Sequence, residues 1–196
     1  VYRLLNRGIC QLVEEKIASL LKKSGAFAVA MDVDAAGLPF LKNMQPPACS
    51  KSVEELAEIV KAAGIPFIVK GVMTVRGALK AHAAGAAAII VSNHGGRVLD
   101  QCSATAEVLE EICHAVGGGM KVLVDGGIRS GVDIFKALAL GADGVVIARP
   151  FVTAVYGGAE EGVKVYIEKL AGELEDTMKM CGAENIAAIS RDMVRI

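Results

Sequence analysis

The sequence predicts an α/β fold assembled from consecutive parallel βα units, as in a TIM (β/α)8 barrel, and three observations carry that expectation. Short apolar strand segments and helical segments alternate five times without exception, and parallel strands need a helix-sized crossover between them. Residues 66–94 and 121–150 share one pattern (apolar strand, glycine turn, helix, Gly-Ala, apolar strand, polar exit) at an offset of roughly 56 residues. Every strand also ends on charged or proton-transferring side chains, the place where such barrels carry their chemistry. A doubly wound open sheet is the competing architecture, but no Gly-x-Gly-x-x-Gly follows the first strand.

The elements follow in order. Residues 12–23 carry apolar side chains at helical spacing and stop at Ser24-Gly25, an amphipathic helix with a glycine end signal. Residues 26–33 read as a short strand ending in Asp32-Val33-Asp34, and the proline-rich stretch 35–50 as a long surface loop. Ser50 or Ser52 caps the next helix, with Glu54 and Glu55 in its first turn, where the dipole favours anions; it ends near Gly64. A strand over 66–69 ends at Lys70-Gly71, and a helix over 75–84 follows. The strand 86–91 leads into Ser92-Asn93-His94-Gly95-Gly96-Arg97. A helix over 105–116 stops at three glycines, and a strand over 121–124 ends in Asp125-Gly126-Gly127-Ile128-Arg129. A helix over 132–140 and a strand over 145–147 lead to Ala148-Arg149-Pro150. The remainder is helical, interrupted at Gly157-Gly158 and broken near Cys181-Gly182. Gly25, Gly85 and Gly141 each open a strand, and residues 1–196 are expected to form one partial barrel domain.

Composition narrows the function. With 53% hydrophobic and 22% charged residues the chain is globular in character, large enough for a real core. A net charge of −1 without basic clusters argues against a nucleic-acid partner and against an anionic membrane surface. The longest apolar stretch, 81–91, is too short to span a bilayer, and no secretory signal is visible in a chain that starts at Val1. Cys10, Cys49, Cys102, Cys113 and Cys181 are scattered without a Cys-x-x-Cys pair, which suits reduced thiols in a cytoplasmic protein and no metal site. Tryptophan is absent, so the core is aliphatic.

At the strand exits stand Asp32 and Asp34, Lys70, His94 and Arg97, Asp125 and Arg129, and Arg149. In a parallel barrel these exits meet on one face. His94 exchanges a proton near neutral pH, and Arg97 forks onto a carboxylate. Arg129 and Arg149, among Gly126, Gly127 and Gly131, have the composition of a phosphate cradle; the plain alternative pairs Arg129 with Asp133 at the surface. Lys70 serves an electron-rich ring, forms a Schiff base, or simply pairs with Asp125.

These motifs together (Ile-Val-Lys-Gly at 68–71, the hexapeptide at 92–97 followed by Leu99-Asp100, Asp-Gly-Gly-Ile-Arg at 125–129, then Ala-Leu-Gly-Ala-Asp-Gly and Ile-Ala-Arg-Pro) resemble the FMN-dependent 2-hydroxy acid oxidising family, which includes glycolate oxidase and lactate oxidase. The resemblance runs from about Gly25 to Pro150 and implies an FMN-linked TIM barrel of which this chain holds strands 4 to 8. It implies His94 as catalytic base, Arg97 as the grip on a substrate carboxylate and Asp34 as the carboxylate orienting the histidine. Lys70 would contact the flavin edge. Ser92, Asp125, Gly126, Gly127, Arg129, Ala148 and Arg149 complete the implied cofactor site, with the last two arginines at the phosphate.

Two departures stand out. Asp32 occupies the place of the family's threonine near the flavin, opposing a reduced ring unless it pairs with Lys70. The second carboxylate-binding arginine is missing from Ala35-Ala36-Gly37-Leu38, which argues against the simplest 2-hydroxy acids. Alternative readings are a truncated barrel without activity of its own and a phosphate-binding barrel of isopentenyl diphosphate isomerase type. An inosine monophosphate dehydrogenase would need a cysteine after Arg129, where none occurs. Five strands do not close a barrel, so open strand edges make a homo-oligomer the expected state.

Overall fold

The computed structural model describes residues 25–38 and 50–195; the expected helix over 12–23, most of the loop over 35–50, and Cys10 and Cys49 lie outside the described residues. Strands β1 (Val29–Asp32), β2 (Phe67–Val72), β3 (Ala88–Val91), β4 (Lys121–Val124) and β5 (Gly144–Val145) alternate with helices. These helices are α1 (Val53–Ala63), α2 (Val75–Ala83), α3 (Thr105–Val116), α4 (Gly131–Ala139) and α5 (Arg149–Cys181), followed by two short 3-10 turns. All strands are parallel and lie in chain order, β1-β2-β3-β4-β5, as successive staves of a barrel do.

Local chemistry starts and stops the helices where the sequence indicates. Ser52 is the cap of α1: its hydroxyl accepts from the Glu55 N–H while the Glu55 carboxylate takes the Ser52 N–H. Ser130 and Asp133 cap α4 in the same reciprocal manner, and the Thr74 hydroxyl accepts the Gly77 N–H at the start of α2. Each of those two helices runs into a glycine with positive φ, Gly85 and Gly141, a turn that an L side chain would strain.

The core lies between the sheet and its helices and is aliphatic apart from Phe67. Ile59, Val69, Ile89, Leu109, Ile112 and Val122 are almost fully buried. Central strand β3 is buried at all four positions, as a parallel strand covered on both faces must be. Phe135, Ala139, Ala183 and Val194 form a second, smaller core where α4 meets the end of the chain.

Several boundaries differ from the sequence-based expectation. β1 is shorter than 26–33 because Val29 bonds to the carbonyl of Pro66, and a proline without an N–H cannot extend the ladder further. β2 continues through Lys70 and Gly71 to Val72 across a bulge. β5 is confined to Gly144–Val145; Val146 still donates its N–H to the Val124 carbonyl at 2.8 Å, and Val146 and Ile147 line a cleft. α5 is interrupted at Gly158 and Ala159, where φ reaches 48° at the alanine, and its second half returns across α4. Gly131 makes that return possible: a Cβ there would stand 2.2 Å from the Leu174 nitrogen.

Candidate active site

The exit of β3 is a self-capped turn. Ser92 is completely buried, and its Oγ accepts the His94 N–H at 3.1 Å. Asn93 Oδ1 accepts the N–H groups of Gly95 and Gly96 at 3.0 and 3.3 Å, while its amide donates to the Ser103 carbonyl at 3.1 Å. These bonds hold His94 at φ 57°, a left-handed conformation that costs a non-glycine residue roughly 1–2 kcal/mol. Ser92 thus lies beneath the cleft instead of on it, as the support of the histidine.

The imidazole is presented by two carboxylates of the β1 exit. His94 Nδ1 lies 3.3 Å from Asp34 Oδ2 and 3.7 Å from Asp32 Oδ1. In the neutral tautomer that donates to these carboxylates, Nδ1 carries the hydrogen and Nε2 keeps the lone pair. Asp34 can approach because Gly71 has no side chain: a Cβ there would stand 2.6 Å from the Asp34 Cβ, and φ is +93°.

Lys70 Nζ bonds to Asp32 Oδ1 at 2.6 Å and lies 3.8 Å from Asp125 Oδ2, so its principal partner is Asp32. Asp125 is anchored through its backbone, whose carbonyl accepts from the buried Thr105 hydroxyl at 2.8 Å. One oxygen of its carboxylate, Oδ1, is buried without a partner among the described residues, as is Asp34 Oδ1. Gly126 and Gly127 follow at φ +84° and +82°, with open space around Gly127.

The surface pairing of Arg129 with Asp133 does not form through the guanidinium. Asp133 instead accepts the Arg129 N–H, the Ser130 N–H and the Ser130 hydroxyl at 2.9–3.0 Å. Burial opposes the Asp133 charge, but these bonds outweigh it and hold its carboxyl below the usual range. The turn is fastened from α5: Tyr166 donates to the Arg129 carbonyl at 3.1 Å, and Glu173 accepts the Gly131 N–H at 2.8 Å. At the β5 exit, Arg149 lays its guanidinium over Gly95, where a Cβ would come within 2.5 Å of Nη2. Arg97, Arg129 and Arg149 have no carboxylate partner among the described residues.

All five exits open on one cleft of about 350 Å³, lined by Asp32, Lys70, His94, Gly95, Arg97, Asp125, Gly126, Gly127, Arg129, Ala148 and Arg149. Arg129 and Arg149 also border an open hollow beside it, with Thr153 on the first turns of α5 and Tyr166 beyond its interruption. Asp34 reaches the cleft through His94. A separate hollow of about 430 Å³ lies between α3 and α4 and holds none of the catalytic candidates. Sequence reasoning missed Gly71, Thr105, Tyr166 and Glu173, which act through contacts distant in the chain, and the capping by Asn93 within its own turn.

These residues fit FMN. A buried carboxylate oxygen waits for a hydroxyl donor, two unpaired guanidiniums wait for an anion, and glycine backbone leaves room for close approach. Fold and cleft together define a βα-barrel protein whose strand ends bring a carboxylate-flanked histidine and three arginines without a carboxylate partner among the described residues to one cleft. The chain belongs to the FMN-dependent dehydrogenase family, whose model matches residues 12–196. It is 49% identical over 145 residues to a peroxisomal (S)-2-hydroxyacid oxidase of Arabidopsis thaliana, covering 74% of this chain and 39% of that protein. It is 46% identical over 138 residues to 4-hydroxymandelate oxidase of Amycolatopsis orientalis, covering 70% and 39%. A crystal structure of mandelate oxidase superposes with a TM-score of 0.81 at 34% identity, over 91% of this chain and 60% of the other. The matched part thus spans about two fifths of the length of these curated relatives.

Proposed function

We propose that this chain carries the FMN site and proton-transfer centre of an oxidoreductase that oxidises a 2-hydroxy acid. The observation that carries the reading is the convergence of His94, Asp34, Lys70, Asp125 and two unpaired arginines on one strand-end cleft. Arg129 and Arg149 would hold the phosphate by charge-assisted bonds, with the backbone at Gly127 and Ala148 beside them. Asp125 Oδ1 would accept from a hydroxyl of the sugar-alcohol chain, and Lys70 would face the ring. When bound, FMN supplies the acceptor for the two electrons leaving the substrate alcohol.

The chain's own residues do the rest. Nε2 of His94 takes the hydroxyl proton of the substrate, and Asp34 on Nδ1 orients the ring and stabilises the imidazolium that results. Arg97, at the mouth of the cleft and unpaired, grips the substrate carboxylate. Without a second arginine after Asp34, a substrate larger than the simplest 2-hydroxy acids fits this grip better, since further contacts must then come from its side chain.

Association is part of the reading. Val152, Val155 and Tyr156 form an exposed apolar stripe on α5, which supports a homo-oligomer. A reducing compartment such as the cytoplasm suits Cys102, Cys113 and Cys181, all free; burial, with help from Asp143, pushes the Cys113 thiol up to about 11. No helix among the described residues is long and apolar enough to cross a membrane.

The test is an absorbance titration of the protein with FMN. Saturable binding with a shifted flavin spectrum is expected, weakened at least a hundredfold in the double variant Arg129→Ala, Arg149→Ala, roughly 2.7 kcal/mol. In His94→Ala the flavin should bind as before while its bleaching by a 2-hydroxy acid is lost. A protein that never binds FMN would overturn the proposal.

A further inference from the structure

Among the described residues Lys70 is the one ammonium lining the cleft, and it is not free. Its shortest contact is with Asp32 at 2.6 Å, and Asp125 stands 3.8 Å away on the other side. The three guanidiniums of the same cleft have no carboxylate partner among the described residues. The cleft is therefore divided electrically. Its arginine end is left positive, whereas at its lysine end Asp32, Asp34 and Asp125 surround one cation and one histidine.

We propose that Asp32 sets the reduction potential of the flavin site by occupying Lys70, so that the bound ring is harder to reduce than its lysine alone would make it. The inference rests on the FMN reading given above. A ring that accepts two electrons and one proton from an alcohol gains a full negative charge, which a facing ammonium favours. Lys70 bonded to a carboxylate is electrically close to neutral, so it stabilises the anionic form less. Asp32 has little structural reason to be there: its side chain is 45% exposed, and Asp34 already supports His94 at shorter range. Asp32 is thus a positioning residue that acts through Lys70.

The experiment measures the midpoint potential of the FMN-loaded full chain by equilibration with a reference dye. The variants are Asp32→Asn, Asp32→Thr and the pair Asp32→Asn, Lys70→Met. Freed of its partner, Lys70 should favour reduced over oxidised FMN at least tenfold more than in the parent, a rise of about 30 mV for two electrons. In the pair the rise should vanish, because the cation through which Asp32 acts has been removed. An unchanged or lowered potential in both single variants, with FMN still bound, overturns the inference and leaves the FMN reading standing. A rise that persists in the pair also overturns it, since Asp32 would then act on the ring directly. Failure of the parent to bind FMN removes the FMN reading and this inference with it. Because Asp32 lies at the surface of the cleft, the single variants are expected to melt with the parent, and Asp32→Thr provides a second, neutral replacement.

Discussion

The two repeated units of this molecule, β2–α2–β3 and β4–α4–β5, are built alike and used differently. Thr74 and Ser130 cap their helices at matching places, and Gly85 and Gly141 turn both chains toward the next strand. Each unit also carries a left-handed glycine just past its first strand's charged exit, Gly71 and Gly127. What surrounds those glycines is unlike. Gly71 is crowded by Asp34, whereas Gly127 faces open space in the cleft. One unit spends its glycine on bringing a carboxylate to a histidine, and the other on leaving room for a ligand. The repeat supplies scaffold; contacts from outside the repeat assign each copy its work.

The sharpest way to break the comparison lies at the first residues of α2 and α4. Val75 stands in one unit where Gly131 stands in the other, and only Gly131 has α5 packed directly on its backbone. Gly131→Val should cost roughly 3 kcal/mol or more in urea unfolding, because backbone atoms of α5 must move. Val75→Gly should cost about 1 kcal/mol. Comparable losses at both places would mean that α5 does not press on α4 as described.

A smaller contrast is expected at the glycines after the strands. Gly127→Ala meets only the backbone strain of its positive φ, about 1 kcal/mol. Gly71→Ala adds a collision with Asp34 and should both destabilise more and displace the His94 imidazole, visible as a moved ring resonance in the NMR spectrum. A silent Gly71→Ala would show that the approach of Asp34 does not depend on it.

Acid should separate the units most gently. Asp133 and Asp143 both belong to the second unit; burial works against each charge, but hydrogen bonds from Arg129 and Ser130, and from Lys121 and Val122, prevail and lower both carboxyls. The first unit has Gly77 and Ala87 at those positions. A carboxyl lowered on folding contributes stability that is complete above its unfolded value, about 4, and is lost as pH falls through the lower folded value. Amide exchange in 121–145 should therefore accelerate below about pH 4 before that in 67–91, and Asp143→Asn should narrow the gap. Exchange that accelerates equally in both units would count against these two carboxyls.

Much of this was legible beforehand, for a physical reason. Strand alternation, caps and glycine turns are local, so Ser52, Thr105–Val116 and the interruption near Gly158 could be read from neighbours in the chain. The gathering of the strand-exit side chains in one cleft was readable because a parallel barrel brings strand ends to one face. The pairing of Asp32 with Lys70 was open as a condition and is met. What escaped were partners defined across the fold. Thr105 acts on a carbonyl 20 residues away, and nothing in its flanking sequence announces that. The full burial of Ser92 is likewise not legible locally, because it depends on how β3 is covered. The start of β1 escaped because it depends on Pro66, the residue before the neighbouring strand, which has no N–H to continue the ladder.

The fastening of the Arg129 turn bears on how the protein is made. Tyr166 and Glu173 follow the groups they hold by 37 and 42 residues, so a ribosome delivers the clasp well after the loop. During synthesis the sheet can assemble stave by stave, but the corner around Arg129 stays loose until α5 has emerged and doubled back. Messages that stop early in that helix would yield chains with every strand described here in place and an unlatched pocket.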